Sequence, residues 1–141
     1  MKDTELEKDV LSMFINSYQA QMHINECNDQ FFTTPETKGV YQACKSMFDL
    51  GEPIDLMTVS MRIKKYGLPA IAAVEISGRY IGDQNLEFKI KILHQFYITR
   101  NLSILAAEMA HHANDRNADP FAIIGNAQQR LDELSVINKT D

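Results

Sequence analysis

The chain has 141 residues, of which 45% are hydrophobic and 23% charged, with a net charge of -5. That balance supports a folded core without disulfide staples and lies far from the charge-rich, aromatic-poor composition of disordered chains. No apolar run approaches the roughly 20 residues needed to span a bilayer. The start, Met1-Lys2-Asp3-Thr4-Glu5-Leu6-Glu7, lacks the basic and apolar segments of a secretory signal, so the expected compartment is the cytoplasm. Cys27 and Cys44 then read as buried thiols rather than a disulfide. An excess of nineteen acidic over fourteen basic residues disfavours direct DNA binding by the chain alone.

The pattern along the chain is helical. Thr4 with Glu7 reads as a capping box for a first helix carrying Leu6, Val10, Met13 or Phe14, and Tyr18 on one face. Segment 20–26 has no clear period. Thr34-Pro35 starts a second main helix whose stripe, Val40, Cys44, Met47 and Phe48, ends at Gly51; Gly39 inside it marks close packing. Asp55 caps a third, with Leu56, Val59, Met61 or Arg62, and Ile63 before a stop at Gly67. Segment 70–76 suits a strand by length, but its alanines and helical neighbours favour a buried helix. Asn85 caps the longest helix, Leu86–Ala113, and Asp119-Pro120 opens a last one over 121–136. The expected fold is all-α: a globular helical subdomain over 1–84, then a long antiparallel helical hairpin over 85–137.

The hairpin carries more apolar surface than one seam uses. Leu86, Ile90, Leu93 and Tyr97 follow a 4-3-4 spacing that continues through Arg100 to Ile104 and predicts the seam. Phe121, Ile124, Ala127, Leu131 and Leu134 are its expected complement. Phe88, Ile92 and Phe96 lie on a second face, and Ile98, Leu102, Leu105 and Met109 on a third. A helix apolar on several sides needs further partners, either the globule or a second copy of the chain. Phe88, Ile92, Phe96, Leu102, Leu105 and Met109 are the candidate oligomer interface.

Reactive chemistry is sparse. A phosphate-binding loop needs G-x-x-x-x-G-K-[ST], and the nearest approach, Gly78-Arg79-Tyr80-Ile81-Gly82-Asp83, lacks its Lys-Ser/Thr ending. His23 and Cys27 are spaced as a helical turn, the weak basis for a rival reading as a stand-alone helical metal-dependent enzyme that also uses His94. His111 and His112 are adjacent and point about 100° apart. The cluster Arg62, Lys64, Lys65 reads as a solvated helix end, with no aromatic interleaving for nucleic acid. No catalytic, cofactor-binding or metal-ligating residue is nominated.

The order of these features resembles the N-terminal domain of bacterial replicative DNA helicases of the DnaB type. The resemblance is carried by Glu5 with Val10-Leu11, Phe31-Phe32, Val40-Tyr41-x-Ala43, Gly51-Glu52-Pro53-Ile54-Asp55-Leu56-Met57-Thr58-Val59, Asn85, Arg100 and Gln128-x-x-Leu131. Pro53, Asp55, Thr58 and Arg100 are its structural motif positions. Thr37 or Lys38 stands where the family has a histidine, and Leu68-Pro69-Ala70 where it has a glycine pair, which marks a divergent, phage-like or mobile-element member. The resemblance implies an oligomerisation domain in DNA replication: a dimer, or a hexamer collar in the full-length protein, that docks the C-terminal domain of primase or a helicase loader. It places ATP, magnesium and helicase catalysis in a domain absent from this chain. The helicase-binding domain of a primase is the nearest alternative within binding modules.

Overall fold

In the computed structural model, residues 1–137 are described. Seven α-helices and three 3-10 turns make up the regular structure, with no strand among the described residues. Residues 2–95 form one compact unit, and Met1 with residues 96–137 forms another. The division at 95/96, rather than 84/85, assigns the first turns of the long helix to the globular unit.

Helix α1, Thr4–Asn16, is the centre of that unit, with all six residues from Val10 to Ile15 buried. Its N-cap is Asp3, whose carboxylate accepts from the Leu6 amide at 3.0 Å, not Thr4. Glu7 is withdrawn from the expected capping box because the core uses it. Its buried carboxylate accepts from the Thr33 amide at 2.7 Å, the Thr33 hydroxyl at 2.6 Å and the Thr37 hydroxyl at 2.8 Å. A buried carboxylate is tolerable only with such donors. The bonds tie α1 to the first turn of α3, Pro35–Asp49, whose own capping box pairs Thr34 with Thr37.

Segment 20–26, which has no clear period, lies in a run of short pieces: helix α2, Tyr18–Gln21, then 3-10 turns Ile24–Glu26 and Asp29–Phe31. Tyr18, expected on the face of α1, is exposed at the start of α2 because α1 ends at Asn16. Single side chains pin them. The Tyr41 hydroxyl lies 3.0 Å from the Ile24 carbonyl and 2.9 Å from that of Cys27. Phe32 stacks on Tyr41 with ring centres 4.8 Å apart. In α3, a Cβ at Gly39 would come within 2.5 Å of Leu68 Cδ1, so the glycine is a close-packing point as its sequence position suggests.

Asp55 and Thr58 exchange backbone and side-chain bonds at 2.9 Å to start α4, Leu56–Arg62. The 3-10 turn Ile63–Tyr66 follows and stops at Gly67, whose φ of 77° suits a residue without Cβ. Segment 70–76 is indeed helical, within α5, Ala70–Ser77. Arg79 then fastens the chain to α1 through Asp9 at 2.8 Å and Glu5 at 2.7 Å. Asn85, at φ 63°, gives its carbonyl to the Lys89 amide at 2.9 Å and opens α6, Leu86–Ala113. Leu86, Ile90 and Leu93 are buried in the globular unit, and Phe31 stacks on His94 at 5.3 Å.

Replacing Glu7 with Ala takes the acceptor from three donors, two on the part-buried Thr33 and one on the buried Thr37. We expect a loss of about 3 kcal/mol in urea unfolding, with Thr33→Val costing less because only the hydroxyl bond is removed.

Candidate protein-interaction faces

From Phe96 onward, α6 pairs with α7, Pro120–Ile137, across a turn at 114–119. Asp119 starts α7 by accepting from the Phe121 amide at 3.0 Å, with Pro120 at the first helical position. The inner row of α6 is Tyr97, Asn101, Leu105 and Glu108; that of α7 is Ile123, Ala127, Arg130 and Leu134. Asn101 Nδ2 donates to the Tyr97 carbonyl at 2.8 Å, and Arg130 pairs with Glu108 across the helices. Arg100 lies beside this row and donates to the Met1 carbonyl at 2.8 Å.

This seam differs from the expected one. Past Tyr97 it runs through Asn101 and Leu105, whereas Ile104 faces solvent; on α7, Phe121, Ile124 and Leu131 are exposed. The sequence pattern assumes that apolar residues fill the inner row, but here an ion pair and an asparagine occupy part of it. The displaced apolar residues form a second row on each helix. Leu102, Ala106, Met109 and Ala113 follow a 4-3-4 spacing on α6, and Phe121, Ile124, Gln128 and Leu131 follow 3-4-3 on α7; all are exposed.

On both helices the outer row stands one residue after the inner row, a rotation of about 100° in the same chain sense. Because the helices are antiparallel, equal rotations turn both rows to the same side of the hairpin. The result is one continuous apolar face without a charged row position. Phe121, 82% exposed, is the most open of its large apolar side chains.

Of the candidate interface residues, Leu102 and Met109 lie in this face. Leu105, only 4% exposed, is committed to the seam inside the chain. Phe88 is exposed in the globular unit, and Ile92 and Phe96 are half-buried. Sequence reasoning assigned Phe121, Ile124 and Leu131 to the inner seam; the signal that relocates them is the opposite charge of Glu108 and Arg130 at positions that can pair.

The motif residues have structural positions. Asp55 and Thr58 form the α4 cap, and Pro53 borders a groove of about 690 Å³ with Tyr18, Met22 and Leu56. The buried Gln21 amide supports the groove's floor by donating to the carbonyls of Phe14 at 2.9 Å and Ile54 at 3.1 Å.

His23 and Cys27 do not share an α-helical turn: they flank a 3-10 turn, and His23 Nδ1 pairs with Glu26. Burial, with the Glu26 charge added, raises the Cys27 thiol, and burial pushes Cys44 up to about 12. Both therefore remain protonated at neutral pH. Among the described residues no three His, Cys, Asp or Glu groups are placed to hold a metal ion, and no helix is long and apolar enough to cross a membrane.

Fold and faces together define an all-helical module with extended apolar surfaces. Residues 1–95 match the model of the DnaB-like helicase N-terminal domain, and the chain belongs to that family. It is similar to the crystal structure of the N-terminal domain of DnaB helicase from Mycobacterium tuberculosis, with a TM-score of 0.82 at 21% identity, covering 94% of this chain and 97% of that one. No curated protein matches the chain.

Burial lowers the basicity of His94. Below the ordinary imidazole value of 6.5 the unfolded chain takes up a proton that the folded chain resists, so this group's contribution to stability is present above that pH and lost below it. His94→Gln should flatten the fall of the urea midpoint between pH 7.5 and pH 5.5.

Proposed function

We propose that this chain is the oligomerisation and partner-docking domain of a replicative DNA helicase working in the cytoplasm. Two copies pair through the outer hairpin rows, and the pairs assemble into a hexamer collar in the full-length protein. The globular unit receives a primase C-terminal domain or a helicase loader. ATP and magnesium act in a catalytic domain elsewhere in that protein, and this chain needs no cofactor of its own.

The single-sided apolar face of the hairpin carries the reading. Helices in a four-helix bundle each meet two neighbours, and two contact rows about 100° apart suit that arrangement. One row serves the hairpin mate and the other serves a second hairpin. Leu102, Met109, Phe121 and Ile124 would lose water-exposed apolar area on pairing, the main driving term for such association.

Introducing Asp at both Leu102 and Ile124 should weaken self-association at least about 100-fold while leaving helical circular dichroism intact. Sedimentation equilibrium of wild type and variant decides it: equal masses for the two would overturn the pairing. Capture of the chain by a primase C-terminal domain is the separate readout for the docking role: the hairpin variant should retain it, and no capture of the wild-type chain would overturn that role.

A further inference from the structure

The globular unit has a second apolar face, on α4 and α5. Val59 and Ile63 point from α4 and its following turn into the core, as do Ala72, Ala73 and Ile76 from α5. The opposite side of each helix is also apolar. Met57 and Met61, 73% and 66% exposed, form a row on α4, and Ile71 and Val74 form one on α5. The two helices pack on one another, and on each the outer row faces away from the residues it buries in the core. A helix as apolar as α5, in which Glu75 and Ser77 are the polar residues, normally has cover on both sides.

Charge identifies what would cover it. Lys64 and Lys65 continue the Met57–Met61 row by another turn, and residues 56–66 contain no carboxylate. Arg62 is held inward by Glu52 and Ser46. The outer face thus presents two lysines against the single carboxylate Glu75, in a chain whose net charge is -5. We propose that this α4–α5 face docks a short acidic amphipathic helix of a partner protein, its apolar stripe on the methionines and Ile71 and its carboxylates toward Lys64 and Lys65. Flexible methionines suit such a surface because they adapt to the incoming side chains. The inference rests on reading the domain as a docking platform and is independent of hairpin pairing.

The test uses the full chain and a fluorescein-labelled, end-capped 16-residue helical peptide with leucines at three- and four-residue spacing and glutamates elsewhere. A second peptide replaces every glutamate with lysine. Fluorescence anisotropy should show binding of the acidic peptide at least tenfold tighter than the basic one. Met61→Asp with Ile71→Asp should weaken it a further tenfold or more at unchanged melting temperature, and Lys64→Glu with Lys65→Glu should invert the preference. The hairpin variant with Asp at Leu102 and Ile124 should bind as wild type does, so failure of the pairing reading leaves this result intact. Equal binding of both peptides, or binding that survives the Met61 and Ile71 changes, overturns the proposal. So does a fall in solution mass caused by those changes, which makes the face a contact between copies, or binding to phosphatidylserine vesicles with neither peptide retained, which makes it a lipid surface.

Discussion

The constraint on which the second unit depends is the shortage of buried side chains along its two helices. Between residues 96 and 135, only Tyr97, Leu105 and Ala127 are buried. A few core contacts do not offset the entropy of ordering some 40 residues, because each fixed residue costs about 1–2 kcal/mol and most hydrogen bonds return little net stability. Helical propensity contributes, and continuity of α6 with a segment anchored by Leu86, Ile90 and Leu93 nucleates the helix from one end. Covering the outer row in the proposed pair would supply a remaining contribution. On that proposal the row is part of the folding problem as well as of assembly, and pairing and hairpin order would be coupled.

The globular unit meets the opposite condition. Its central helix buries six consecutive residues, so neighbours must surround it, and each connecting segment is held by a specific polar contact. Glu7 joins α1 to α3, Gln21 fixes the approach to Asp55, Tyr41 holds the turns around Cys27, and Arg79 returns the end of α5 to α1. These contacts connect residues far apart in sequence. They make the unit a rigid support for whatever meets α4 and α5, since neither short helix would keep its position alone.

What was legible in the sequence follows from the range of the forces involved. Local chemistry read correctly: the Thr34-Pro35 start, the Asp55 cap, the stop at Gly67 and the extent of α6 each depend on residues within one turn. Gly39 was readable as a packing point, though not its neighbour Leu68. The Thr4–Glu7 box failed because Asp3 supplies the cap and three donors from distant threonines claim Glu7. The seam failed for a related reason. Periodicity locates apolar rows on a helix but does not say which row faces inward, and Glu108 with Arg130 places a polar pair where apolar residues were expected. Leu105 and Leu102 are three residues apart and look equivalent in sequence, yet one is interior and the other open.

The two apolar faces differ in what surrounds them, and that difference separates the roles proposed for them. The outer hairpin rows hold no charged residue, so any attraction there is set by area and shape, which a second identical hairpin can satisfy by symmetry. The α4–α5 face is bordered by Lys64 and Lys65. A surface of that kind gains selectivity from charge, because a partner with the wrong sign must desolvate a lysine without compensation. On the roles proposed above, an acidic chain with one locally basic apolar face would distinguish a foreign acidic segment from copies of itself pairing through the neutral rows. Self-association and partner recognition can then vary independently, since substitutions that tune one row lie in a different unit from those that tune the other.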